Sequence, residues 1–118
     1  SAAPSAGSGR PQTILSRLLF QRGTMDPADG SREALARLAE QLVAAPNRRI
    51  EIQAFAAGVG SETENSNEAR RMSLDRALAV RSGLVQRGVQ SNRVTVRSLG
   101  NAGGEGPPDR VDIVLLGE

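Results

Sequence analysis

Residues 51–86 read as a buried strand, a Gly-Val-Gly turn, a polar run and a long helix, and this succession constrains the fold more than any other feature. Ile50, Ile52, Ala54 and Ala56 alternate with Glu51, Gln53 and Phe55, the period of a strand with one face in a core. Gly58 and Gly60 supply the backbone freedom to leave a sheet sharply. After the polar run 61–67, the segment 68–86 contains no proline and repeats apolar residues at helical spacing, with Leu74, Ala77, Leu78, Leu84 and Val85 as the expected buried face. Asn65, Ser66 and Asn67 are each suitable N-caps, Glu68 complements the helix dipole, and Gly88 suits a left-handed C-cap. A helix is therefore expected over 67–87, packed on the sheet to which the strand belongs.

The remaining segments extend this unit. Residues 1–12 begin with a run of Ser, Ala, Gly and Pro that buries nothing and reads as a flexible linker, leaving 13–118 as one domain. Residues 13–20 are apolar enough for a first strand, although their leucine spacing also suits a short helix. Asp29 or Ser31 is placed to cap a helix whose buried stripe is Leu35, Leu38, Ala39, Leu42 and Val43, and Pro46-Asn47 ends it. The strand around Ile50 is expected over 48–56. Val94, Val96 and Ser98 alternate with Thr95, Arg97 and Leu99 as a third strand. A loop rich in glycine and proline over 100–109 leads to a last strand over 110–116, with Val111, Ile113 and Leu115 on one face. The order strand-helix-strand-helix-strand-strand predicts an α/β two-layer sandwich: a mixed four-stranded sheet, the last two strands paired as a hairpin, with both helices on one face.

Composition narrows the chemistry. The chain has no cysteine and no histidine, and all fifteen basic residues are arginine, so thiol, imidazole and amine catalysis are excluded, as are the usual zinc ligands. Two phenylalanines are the only aromatic residues, too few for a stacking platform on single-stranded nucleic acid. The net charge of +2 gives no strong field, and no apolar run approaches the roughly 20 residues that span a bilayer. No catalytic site, metal or cofactor is expected.

The run Met72-Ser73-Leu74-Asp75-Arg76-Ala77-Leu78-Ala79-Val80 resembles the Leu-Ser-x-x-Arg-Ala-x-x-Val helix of the OmpA-like domains found in outer-membrane porins, peptidoglycan-associated lipoproteins and flagellar stator proteins. The resemblance spans about residues 18–115 and supports a strand over 13–20. It implies a periplasmic module that binds peptidoglycan and is anchored to a membrane by a segment upstream. In such domains the helix arginine pairs with a carboxylate of the diaminopimelate stem peptide, and an Asp of a Gly-His-Thr-Asp turn receives the ligand's ammonium group. That carry-over implies a ligand site of Arg76, Ser73, Asn65 and the turn residues Ala57, Gly58 and Val59. Where the family carries Thr-Asp this chain carries Ala56-Ala57, so binding is expected to be weakened or altered. Where it carries Asn-Arg-Arg-Val-Glu-Ile, this chain carries Pro108-Asp109-Arg110-Val111-Asp112-Ile113.

Taken without the resemblance, Arg76 reads equally as a solvated helix arginine paired to Asp75 or Glu64. Glu62 and Glu64 either replace the missing turn carboxylate or are solvated loop charges. Gly58-x-Gly60 is a turn rather than a phosphate cradle, because no third glycine or helix start follows. Asp109 and Asp112 are expected to share a strand face without a metal or catalytic role. The alternative to wall binding is a degenerate OmpA-like domain that contacts other envelope proteins or itself, through an apolar patch at Phe55, Ala56 and Ala57.

Overall fold

The computed structural model describes residues 13–21, 24, 30–57, 62–100 and 107–117. The linker segment 1–12 and the glycine turn 58–60 lie outside them. The elements are β1 (Ile14–Leu19), α1 (Ser31–Ala44), β2 (Arg49–Ala54), α2 (Glu62–Gln86), a single 3-10 turn (Ser91–Arg93), β3 (Val94–Ser98) and β4 (Arg110–Gly117). The strands form one mixed sheet in the order β1-β4-β2-β3. β4 runs antiparallel to both β1 and β2, whereas β2 and β3 are parallel. α1 lies over β1, α2 lies over β2 and β3, and the two helices touch, so both occupy one face of the sheet.

The expected hairpin between the last two strands is not formed; β4 inserts between β1 and β2, and β3 takes the edge. Burial explains the exchange. Val111, Asp112, Ile113 and Val114 of β4 are buried in succession, so both faces of that strand are covered, while Thr95 and Arg97 of β3 are exposed as an edge strand tolerates. The core between sheet and helices is aliphatic: Leu18, Ile50, Ile52, Ala54, Val111 and Ile113 from the sheet meet Leu38, Ala39, Leu42, Ala77, Val80 and Leu84 from the helices. On the sheet, Asp112 ties Arg17 to Arg110, with Nε to carboxylate distances of 2.8 and 3.1 Å. The hydrogen bonds that Arg17 donates to Asp112 raise the Arg17 pKa above its ordinary value.

Both helices depart from the expected caps and faces. Gly30, with φ of 86°, caps α1 without a side-chain hydrogen bond, so Ser31 is not the N-cap, and Asp29 lies outside the described residues. The Ser31 hydroxyl is used elsewhere, accepting from Leu19 N at 3.0 Å and donating to Leu19 O at 3.1 Å, which stitches the start of α1 to the end of β1. Val43, expected inside, is exposed. At the other end of α1, Arg93 donates to the carbonyls of Leu42, Ala45 and Arg48 at 2.8, 2.7 and 2.9 Å. A cation placed on the final carbonyls also suits the negative end of the helix dipole.

α2 begins at Glu62, before the expected start, so Asn65, Ser66 and Asn67 are helical residues rather than caps. The polar run is taken up as extra helical turns. The buried face is Ala69, Ser73, Arg76, Ala77, Val80 and Leu84, while Leu74, Leu78 and Val85 are exposed. The sequence pattern misplaces this face because it assumes that an arginine and a serine point outward. Here both turn inward to satisfy backbone groups, and the helix rotates with them.

Candidate functional site

Arg76 is the largest fully buried side chain among the described residues, at 0% exposure. Such a cation persists in a core only when its hydrogen bonds and charge are met. Its Nε donates to Thr24 O at 2.9 Å, and its Nη2 donates to Gln21 O at 2.9 Å and Thr24 O at 2.8 Å. Its Nη1 donates to Phe55 O at 3.1 Å and to Asp109 Oδ1 at 3.0 Å. A guanidinium has five N–H groups, so this set engages all of them. The Phe20 ring lies 5.0 Å from the guanidinium carbon and adds a cation–π contact.

Three segments converge on this group. The end of β1 supplies Phe20 and Gln21, the exit of β2 supplies Phe55 and Ala57, and the residue before β4 supplies Asp109. Backbone bonds fix the frame: Phe20 N to Asp109 O at 3.0 Å, Phe55 N to Arg110 O at 2.8 Å, and Ala56 N to Gly100 O at 2.9 Å. Asp109 Oδ1 accepts from Ala57 N at 3.0 Å as well as from Arg76. One guanidinium and one backbone amide thus grip one carboxylate oxygen, and in this structure the carboxylate belongs to the chain itself.

Of the expected site residues, Arg76 and Ala57 come together through Asp109. Arg76 is not a solvated helix arginine, since its guanidinium is enclosed. Ser73 is buried beside them, but its hydroxyl accepts from Gly100 N at 3.1 Å and donates to Arg70 O at 2.8 Å, which docks α2 on the turn after β3. Gly100 has φ of 57°, and a Cβ there would stand 3.2 Å from Arg70 N, so the approach requires glycine. Asn65 lies in α2 with its side chain outside the described residues, and Gly58 and Val59 are outside them altogether. The expected apolar patch is not exposed: Phe55 and Ala56 are buried and Ala57 is half-buried.

Asp109 is the residue that sequence reasoning missed. It does not act with Asp112 on one strand face; it precedes β4 and answers Arg76, whereas Asp112 answers Arg17 and Arg110. The available signal was a compensation, an acid absent from the turn at Ala57 and an acid present where the family pattern carries arginine. Among the described residues no group of three or more His, Cys, Asp or Glu is placed to hold a metal ion.

Comparison with known proteins places this arrangement. The family model described as the OmpA family matches residues 19–108, most of the chain. The chain belongs to the OmpA family. As an OmpA-family domain it is similar to the peptidoglycan-associated lipoprotein of Burkholderia pseudomallei, with 26% identity, a TM-score of 0.71, and coverage of 85% of this chain and 89% of that one. The OmpA-like domain of FopA1 from Francisella tularensis has the same fold, with 18% identity, a TM-score of 0.72, and coverage of 87% and 76%. So does the C-terminal domain of Helicobacter pylori MotB, with 16% identity, a TM-score of 0.71, and coverage of 88% and 86%. No curated protein is significantly similar in sequence to this OmpA-family chain. No helix among its described residues is long and apolar enough to cross a membrane.

Proposed function

We propose that this OmpA-family domain is a noncatalytic peptidoglycan-binding module of the bacterial periplasm, which tethers a membrane-anchored envelope protein to the cell wall. The observation that carries the reading is the convergence of the Arg76 guanidinium and the Ala57 amide on a single carboxylate oxygen. Such a pair of donors suits a carboxylate of a diaminopimelate stem peptide, because a guanidinium and an oriented N–H both strengthen when the acceptor is ionised. Family membership and the similarity to a lipoprotein named for its association with peptidoglycan support it further.

The ammonium half of the ligand is less well served. Ala57 offers no acid, and a hydrogen bond to a charged group contributes about 1.5–3 kcal/mol, so affinity is expected to be about ten- to a hundredfold below that of a site with both charges.

Co-sedimentation with purified cell-wall sacculi tests the reading. The domain is expected to pellet with diaminopimelate-type sacculi, to be released by free muropeptide, and to pellet less with lysine-type sacculi, whose stem peptide lacks the additional carboxylate. Equal recovery in the supernatant with and without sacculi would contradict it.

A further inference from the structure

Resting on that reading, we infer that Asp109 is an internal competitor for the carboxylate seat, so that a ligand carboxylate enters only as the Asp109 side chain leaves. Arg76 has no N–H to spare. Four of its hydrogen bonds run to the backbone carbonyls of Gln21, Thr24 and Phe55, and the fifth runs to Asp109. The carbonyls of Gln21 and Phe55 stand just past the ends of β1 and β2 and are backbone groups, as is that of Thr24. Of the four atoms that accept these five bonds, only the Asp109 oxygen belongs to a side chain, whose position can change while the backbone stays in place.

Position agrees with this role. The Arg76 side chain is 0% exposed and that of Asp109 9%, so solvent reaches the acid and not the cation. Its backbone is held, with Asp109 O accepting from Phe20 N. Exchange also keeps the buried charge paired. A guanidinium enclosed among carbonyls and the Phe20 ring needs a counter-ion at every moment, and replacing one carboxylate by another satisfies it throughout. The internal acid therefore sets a threshold, in that an external carboxylate gains only the difference between its own hold on the two donors and that of Asp109.

The test uses the variants Asp109→Ala and Asp109→Asn with two probes. Sodium acetate is compared with sodium chloride at equal ionic strength by thermal unfolding, and a diaminopimelate-containing muropeptide is titrated by calorimetry. Acetate is expected to raise the unfolding temperature of Asp109→Ala saturably, with no such effect on the wild type. Muropeptide is expected to bind both variants about tenfold or more tighter than the wild type. Weaker binding by both variants would overturn the inference, as would an Asp109→Ala protein that responds to acetate and chloride alike; the first result would mean that Asp109 itself holds the ligand. Acetate binding without muropeptide binding would uphold the competitor and reject the peptidoglycan reading. Muropeptide binding of equal strength in wild type and variants would do the reverse. Should Asp109→Ala fail to fold, Asp109→Asn, whose amide oxygen still accepts from Ala57 N, carries the test through the muropeptide arm.

Discussion

Arg76→Ala is expected to abolish the folded domain at room temperature rather than merely to weaken a binding site. The substitution removes all five hydrogen bonds of the guanidinium and leaves the Asp109 carboxylate without the cation that answers it. Removing one partner of a buried ion pair costs about 3–5 kcal/mol, and the abandoned carbonyls of Gln21, Thr24 and Phe55 add to it. That sum approaches the whole stability of a small domain, which is about 5–15 kcal/mol. Circular dichroism during urea titration checks it: the variant should show little or no native baseline. Arg76→Met combined with Asp109→Leu should be markedly more stable than Arg76→Met alone, because the pair is removed together and no buried charge is left behind. A stable, native-like Arg76→Ala protein would mean that the guanidinium does not bind the three segments together.

Arg93→Ala is expected to cost about 2–4 kcal/mol, without touching the candidate site. Arg93 is 8% exposed and reaches the carbonyls of Leu42, Ala45 and Arg48, which end α1 and lead into β2. Loss of these bonds removes a positive charge from the negative end of the helix dipole. Native-state hydrogen exchange should report the loss first in the last turn of α1, and a lysine at the position should recover only part, since one ammonium cannot fork across three carbonyls. A change below about 0.5 kcal/mol, the range of an ordinary surface substitution, would contradict the role.

The same contrast explains what was legible in the sequence. Strands such as β2 and β4 declare themselves through period-two alternation, and the arginine of α2 declares itself through its Ser-x-x-Arg-Ala frame. The strand order was hidden because β3 and β4 are adjacent in sequence, and only burial on both faces of Val111–Val114 reveals which of them is central. The start of α2 was hidden because a polar run that suits a loop also suits an acidic first turn. The orientation of α2 was misjudged for one reason, that Ser73 and Arg76 are polar residues whose partners are backbone groups supplied by distant segments. Asp109 was misread for the related reason that its partners, Arg76 and Ala57, lie 33 and 52 residues away. Local pattern reports local structure, and side chains that answer remote carbonyls leave no trace in it.

The central claim is that the Arg76 and Ala57 donors form a seat for a stem-peptide carboxylate. It is tested most directly by following the backbone amide of Ala57 in 15N-resolved NMR spectra of the wild-type domain as diaminopimelate-containing muropeptide is added. The account predicts a saturable shift of the Ala57 amide as its acceptor changes from Asp109 to the ligand, with the core amides of Ile52 and Ile113 unmoved. An Ala57 amide that stays fixed at millimolar muropeptide would contradict the claim.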